Sequence, residues 1–333
     1  MSSEQSVTIG FLGAANILPR AMLAPAKLLP TPYEFEFAVA ARDPAQAAAF
    51  AQKHGIAHVY PDYDTLLASD QVQGVYIPLP NRLHVPWAIK ALQAGKAVLL
   101  EKPACLQVRD FDKLANVATA TGVPITEALM TGFHPWQQTL HELIHSGKYG
   151  RLLSTKTHLF TPLKNTPADN YRFFPKLGGG AFFDLGIYWV QFVQRCLGLP
   201  IQDMQARAAF DGPNGIDMTF SARLDFADGS HSDFIGSFER PFEANHWLEL
   251  EGASIRLRNF FRPAFGAQAM WFDVYPKDTD EKEKVSFAPQ NYYTNQLETF
   301  LRILQGQQQP EPLQAIRERV SILEALYKQA KYE

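Results

Sequence analysis

Hydrophobic positions in the first third of the chain fall in short unbroken runs, and the segments after them carry apolar residues at helical spacing. Residues 7–12, 35–41, 74–79, 97–100 and 123–127 read as strands buried on both faces, because a strand with one wet face alternates instead. Residues 19–29, 44–54, 63–68, 85–94 and 110–121 read as the intervening helices. Strand and helix in regular alternation predict a parallel, doubly wound α/β domain, placed over residues 1–128. From residue 152 the texture changes. The runs 152–160, 204–210, 218–226, 231–238 and 247–250 alternate apolar and polar positions, and turn clusters such as Asp211-Gly212-Pro213-Asn214-Gly215 and Ala227-Asp228-Gly229 join some of them. This predicts an α+β domain over residues 129–333 with a large, mostly antiparallel open sheet. Residues 292–304 and 313–327 add amphipathic helices.

Composition narrows the function classes. Of 333 residues 46% are apolar and 20% charged, and the net charge is −3, with no basic block able to follow a nucleic-acid backbone. No nucleic-acid partner is expected. The segment Met1-Ser2-Ser3-Glu4-Gln5-Ser6 lacks the basic start and apolar core of a signal peptide, and no run approaches a membrane span, so a cytoplasmic protein is expected. Cys105 and Cys196 stand alone, without C-x-x-C spacing, which argues against a disulfide framework or a structural zinc site.

Candidate chemistry collects where the predicted strands end. After the first run comes Gly13-Ala14-Ala15-Asn16-Ile17-Leu18, in the strand–turn–helix context a dinucleotide fingerprint requires. Ala15 and Leu18 replace its second and third glycines. The turn therefore reads either as a phosphate cradle with looser helix packing at Leu18 or as a generic βα turn. The second run ends at Ala41-Arg42-Asp43-Pro44, where Arg42 suits the 2′-phosphate of NADP, and Asp43 is either a ribose ligand or a helix N-cap. NADP is preferred, with NAD as the other cofactor. The spacing from Gly13 to Arg42 is long, and the loop Leu29-Pro30-Thr31-Pro32-Tyr33 accounts for the excess. Pro78-Leu79-Pro80-Asn81-Arg82-Leu83-His84 follows the third run. Val98-Leu99-Leu100-Glu101-Lys102-Pro103 puts Lys102 at the edge where ligands of open α/β sheets bind, unless Glu101 and Lys102 are a solvated pair. Pro103 restricts the lysine backbone.

Two stretches in the second part stand out. His141-Glu142-Leu143-Ile144-His145 matches the H-E-x-x-H pattern of zinc proteases, but Ser146-Gly147 ends the helix and no third ligand follows, so an amphipathic packing helix and no metal are expected. Gly178-Gly179-Gly180 precedes a helix that runs to about residue 195 and is apolar from Ala181 to Val193 except for Asp184, Tyr188 and Gln191. These three form one stripe. The stripe either faces solvent or belongs to a site. The glycines permit close approach by another backbone or by a ligand.

The fingerprint, Glu101-Lys102-Pro103, the triple glycine with Asp184 and Tyr188, Ala41-Arg42-Asp43-Pro44 and Gly147-Lys148-Tyr149-Gly150 together resemble the Gfo/Idh/MocA oxidoreductases. Tyr188, where many members carry histidine, resembles the branch of dimeric dihydrodiol dehydrogenase and NADP-dependent sugar dehydrogenases. The resemblance implies a Rossmann domain, a C-terminal open-sheet domain, and homodimers or higher homo-oligomers through that sheet. It implies an NAD(P)-dependent dehydrogenase or reductase of a sugar, polyol or dihydrodiol. The cofactor residues are then Gly13, Ala15, Asn16, Ile17, Ala41, Arg42, Leu79, Pro80, Asn81, His84, Glu101 and Lys102. Lys102, Asp184 and Tyr188 are the catalytic set; Phe133, His134, Tyr171 and Arg172 line the substrate. A tyrosine with an ordinary pKa of roughly 10 needs a neighbouring cation to act at neutral pH. Lys102 is expected to supply it, with Lys102 as the alternative proton donor, and Asp184 to orient Lys102 and bind a substrate hydroxyl. The chain departs from many relatives at Thr131-Gly132-Phe133-His134-Pro135, where they carry an arginine before the phenylalanine. Two other readings are a non-catalytic NAD(P)-binding regulator and a glycosidase with tightly held NAD.

Overall fold

The protein is described by a computed structural model covering residues 7–30 and 33–332. The N-terminal hexapeptide and the Thr31-Pro32 part of the long loop, with the expectations attached to them, lie outside the described residues. The chain forms two compact units. One runs to Leu129 and takes in Tyr293–Val320; the other comprises Met130–Tyr292 and the segment from Ser321.

In the first unit, β1 (Val7–Leu12), β2 (Phe35–Ala40), β3 (His58–Tyr60), β4 (Gly74–Ile77), β5 (Ala97–Glu101) and β6 (Ile125–Ala128) form a parallel sheet in the order β3-β2-β1-β4-β5-β6. The order reverses between β1 and β4, which opens a crevice at the carboxyl ends of those strands. β1 and β4 are buried throughout, as their unbroken apolar runs require. The expected first helix is shorter than residues 19–29. A π-helical turn, Pro19–Leu23, passes into α1 (Ala24–Ala26), and Pro25 has no N–H to continue the regular ladder. Local rules place the next helices well. Asp43 accepts a bond from Ala45 N at 2.9 Å and starts α2 (Pro44–His54), and Asp62 does the same for Thr65 N at 2.7 Å before α3 (Tyr63–Ala68). α4 (His84–Gln93) and α5 (Val108–Thr121) follow.

The C-terminal helices were assigned from sequence to the second part of the chain. In the structure α8 (Tyr292–Leu304) gives all but its first residue to the first unit, and α9 (Leu313–Tyr332) packs Leu313, Ile316 and Val320 into the core of the parallel sheet. Arg319 of α9 has no exposed side-chain surface. Its Nε and Nη2 donate to Glu127 Oε2 at 3.0 and 2.8 Å, and Nη1 donates to Glu311 at 2.9 Å. Burial opposes the guanidinium charge, but the carboxylates of Glu127 and Glu311 more than compensate and hold its pKa above the ordinary value.

The second unit begins with α6 (Trp136–His145) and is built on an eight-stranded sheet, order β14-β13-β12-β11-β7-β10-β9-β8. Its strands are β7 (Leu152–Phe160), β8 (Ile201–Ala208), β9 (Thr219–Phe226), β10 (His231–Ser237), β11 (Glu243–Leu250), β12 (Ala253–Arg258), β13 (Gln268–Pro276) and β14 (Glu283–Gln290). All neighbours are antiparallel except β7 with β10. The last three strands were not legible: β14 is an exposed edge with no buried position, so it lacks the apolar face that marks a strand. The helical segment 182–197 covers one face through stacked rings, Phe182 on Phe220 at 3.9 Å and Trp189 on Phe234 at 5.1 Å. Among the described residues no helix is long and apolar enough to cross a membrane.

Removing one partner of a buried ion pair strands the other. Arg319→Met is therefore expected to cost about 3–5 kcal/mol, seen as a lower urea midpoint. The double variant Arg319→Met with Glu127→Gln should recover part of that loss.

Candidate active site

In the first unit the backbone around Lys102 is bonded at successive positions. β5 ends at Glu101, whose carboxylate accepts the Tyr76 hydroxyl and, at 3.1 Å, the N–H of Lys102. The Lys102–Pro103 peptide is cis. Pro103 O lies 2.9 Å from His84 Nδ1, the other ring nitrogen lies 2.8 Å from Leu79 O, and Ala104 N donates to Glu127 Oε1 at 2.8 Å. Burial drives the His84 pKa down to about 4, with the nearby Lys102 charge pushing the same way, so the ring is neutral at neutral pH. Glu101 and His84, both expected near cofactor, thus hold the loop backbone on either side of Lys102. Asn81 is buried, and Leu79 and Pro80 are half-buried.

Gly13 has φ +114°, and a Cβ there would sit 3.3 Å from Leu79 Cδ2, so Leu79 lies against the fingerprint turn. Gly13 N donates to Ala40 O at 2.8 Å. Ala15 and Ile17 are half-buried and Asn16 is exposed. Leu18 is fully buried, so the leucine in the third glycine position is a core anchor rather than a source of loose packing. Beyond β2, Ala41 is buried and Arg42 exposed. The Asp43 carboxylate caps α2 through Oδ1, as one of its two readings has it. These residues fit a dinucleotide: a glycine turn at positive φ, the reversal point of the sheet, and an exposed guanidinium where an additional ribose phosphate would need a cation.

In the second unit the three glycines have structural neighbours. A Cβ on Gly179 would lie 2.4 Å from Arg172 O, and one on Gly180, at φ +112°, would lie 2.1 Å from Asp217 Oδ1. The close approach is by backbone and by a carboxylate of the same unit. Asp217 Oδ2 accepts Phe182 N at 2.7 Å and its backbone oxygen accepts Ala181 N at 2.9 Å, so Asp217 caps the start of the segment 182–197 from outside it. Burial raises its pKa to about 7 against those backbone donors. Nothing in the sequence marks Asp217, because the cap arrives across the fold.

The stripe does not face solvent. Asp184 is 9% exposed, Tyr188 7% and Gln191 2%. Arg172, on the 3-10 turn Tyr171–Phe173, donates Nε to Asp184 Oδ2 at 2.8 Å and Nη2 to Oδ1 at 3.3 Å. Tyr171 lies against the same guanidinium, 4.8 Å from its carbon, and Phe261 meets the Tyr188 ring edge-on at 4.7 Å. Gln191 accepts from Thr131 Oγ1 at 2.6 Å and from Gln137 Nε2 at 3.2 Å.

His134 is a core ring: Nδ1 accepts Trp136 N at 3.2 Å, Phe287 and Tyr292 lie 5.4 Å away, and burial lowers its pKa to about 4. Phe133 is half-buried in the turn Met130–Phe133. At Gly132 a Cβ would fall 2.2 Å from Arg195 Nη1, which donates to Gly132 O at 2.6 Å. His141 Nδ1 and His145 Nε2 meet the carbonyls of Cys196 and Leu197 at 3.2 and 2.9 Å, so the H-E-x-x-H histidines cap the far end of the segment 182–197. Among the described residues no group of three metal-binding side chains occurs.

Comparison with known proteins agrees with this architecture. Residues 7–129 match the GFO/IDH/MocA profile described as "Oxidoreductase family, NAD-binding Rossmann fold", and residues 137–258 match the "GFO/IDH/MocA C-terminal domain". A dTDP-3,4-didehydro-2,6-dideoxy-alpha-D-glucose 3-reductase of Streptomyces violaceoruber is 31% identical over 279 residues, 84% of this chain and 80% of its own. D-xylose 1-dehydrogenase (NADP(+)) 2 of Haloferax volcanii is 30% identical over 298 residues, 88% and 89% of the two chains. The crystal structure of a 3-ketoreductase from Actinomadura kijaniata, solved with NADP and TDP-benzene, shares the fold with TM-score 0.86 at 22% identity, over 97% of this chain and 98% of that one.

The Asp217 contact separates Gly180 from glycines that need only positive φ. Gly122, at φ +67°, has open space where a Cβ would go. Gly122→Ala is expected to cost about 1 kcal/mol. Gly180→Ala should cost at least about twice as much, because the cap must also move. Paired thermal unfolding of the two variants measures the difference.

Proposed function

The chain belongs to the Gfo/Idh/MocA oxidoreductases, and we propose that it moves hydride between NADP(H) and a CH–OH or carbonyl carbon of a sugar, polyol or dihydrodiol. The observation that carries this reading is the bonded loop that presents Lys102 at the carboxyl end of β5, beside the reversal of strand order. The sugar-acting relatives favour a sugar among the substrate classes.

The bound nicotinamide would supply or accept the hydride. The chain's own residues do the rest. Gly13, Ala15, Asn16 and Ile17 form the pyrophosphate turn, and Arg42 pairs with the 2′-phosphate because Asp43 is committed to capping α2. Leu79, Pro80 and Asn81 border the nicotinamide end. The Lys102 ammonium hydrogen-bonds the reacting oxygen and stabilises negative charge on it. Tyr188 passes the hydroxyl proton, and Asp184 binds a neighbouring substrate hydroxyl. Phe133 and Tyr171 border the substrate. The uncovered face of the large sheet, which carries Lys156, Trp247, Arg223 and Asp233, is the surface we assign to self-association, and light scattering should report a mass of at least two chains.

Fluorescence titration should show tighter binding of NADPH than of NADH by about tenfold or more, and Arg42→Ala should remove most of that preference. With the preferred cofactor and a panel of sugars, polyols and dihydrodiols, Lys102→Met and Tyr188→Phe should each lower kcat by about 10²–10⁴-fold. Tyr188→Phe should leave NADPH affinity within about threefold, since the phenol serves the proton and not the dinucleotide. Cofactor binding without turnover on any substrate class, or kcat unchanged in either variant, would sink the scheme.

A further inference from the structure

A carboxylate one helical turn before a phenol opposes phenolate formation, so Asp184 by itself works against Tyr188 as a proton carrier. The second unit contains the answer to this conflict. Arg172 grips Asp184 through a bidentate contact, Nε to Oδ2 at 2.8 Å and Nη2 to Oδ1 at 3.3 Å. In this pair the carboxylate is largely shielded from water and the guanidinium partly so, with side-chain exposures of 12% and 29%. Its position is fixed from both sides. Gly180 N donates to Arg172 O at 3.0 Å, and the absent side chain of Gly179 lets that carbonyl approach to 2.4 Å from where its Cβ would be. The triple glycine thus seats the arginine backbone against the start of the helix that carries Asp184 and Tyr188.

We propose that Arg172 is a positioning residue for Tyr188: its guanidinium cancels the Asp184 charge and pins that carboxylate, so the phenol exchanges its proton beside a neutral ion pair. The inference rests on the reading of Tyr188 as the proton carrier and names what tunes it. Arg172 interacts electrostatically with Tyr188 as well as with Asp184 and Tyr171. Asp184 on the same helix and Arg172 on the 3-10 turn are charged groups set near Tyr188, with Tyr171 against the guanidinium; Phe261 covers the ring with an apolar edge. Lys102 was the cation expected from sequence to serve this phenol. Arg172 leaves that role to Lys102 and removes the opposing charge of Asp184.

The signs of the effects test the proposal. Removing the cation leaves a bare carboxylate and disfavours phenolate; removing the carboxylate leaves a bare cation and favours it; removing both cancels the two effects. The ionisation of Tyr188 is followed in the full-length protein by ultraviolet absorbance, subtracting the same titration in a matched Tyr188→Phe background. Arg172→Gln should raise the midpoint by about one pH unit or more, and Asp184→Asn should lower it by a similar amount. The double variant Arg172→Gln with Asp184→Asn should fall within about half a unit of the unaltered protein, as should Arg172→Lys. The alkaline limb of the kcat profile should move with the same signs. A general loosening of the helix would shift both single variants in one direction, and that result, or no shift in either, overturns the proposal. Should Arg172→Gln fail to fold, the Asp184→Asn shift and its cancellation in the neutral double variant decide the matter. The two readings fail separately: kcat retained in Tyr188→Phe removes the proton role while the titration still reports the pair, and an unmoved titration with kcat lost in Tyr188→Phe removes only Arg172.

Discussion

Glu127 is the constraint on which the first unit turns. One carboxylate oxygen accepts Ala104 N from the loop after Lys102, and the other accepts two donors from Arg319 on α9. A carboxylate and a guanidinium with no exposed side-chain surface carry a large desolvation cost, which close geometry and full hydrogen bonding must offset. Glu311 supplies further acceptors, for Nη1 and Nη2 of the guanidinium. The result ties three distant parts of the chain to one point: the end of β6, the loop with the cis peptide, and a helix from the last quarter of the sequence. Glu101 and His84 hold the same loop on either side of Lys102.

The second unit applies the same logic to a helix. The segment 182–197 begins under the Asp217 carboxylate and ends under the imidazoles of His141 and His145. A carboxyl oxygen that accepts at the amino end and ring N–H groups that donate at the carboxyl end both satisfy backbone groups left unpaired at helix termini. Phe182, Trp189 and Phe192 fix its rotation by stacking on Phe220, Phe234 and His246. With both ends capped and one face stacked, the stripe of Asp184, Tyr188 and Gln191 has a single orientation, and each member meets a polar or aromatic neighbour of its own unit. Such fixation is what a proton-transfer group requires, since its geometry must be set before substrate arrives.

Legibility followed the range of the interactions. Buried parallel strands and helices with local caps were readable because their causes lie within a few residues: Asp43 with Ala45, Asp62 with Thr65, Gly122 after Thr121. The family motifs were readable for a related reason, as Glu101, Lys102 and Pro103 must be adjacent to present one side chain at a strand end. Strands β12 to β14 escaped because pairing with neighbours, not their own apolar pattern, makes them strands. The glycines at 178–180 announced a close approach without identifying the partner.

By itself the sequence determined the two-part architecture, the dinucleotide fingerprint, and the residue types able to carry a hydride-transfer reaction, because periodicity and adjacent motifs act over short distances. Only the tertiary structure decided what those residues touch. It made Asp43 a cap, turned His84 and Glu101 into supports of the Lys102 loop, buried the Asp184 stripe, paired Asp184 with Arg172, and set the H-E-x-x-H histidines on carbonyl oxygens. Each of these is a contact whose electrostatics depend on burial and on a partner remote in sequence or fixed by folding, and no reading of neighbouring residues contains that information.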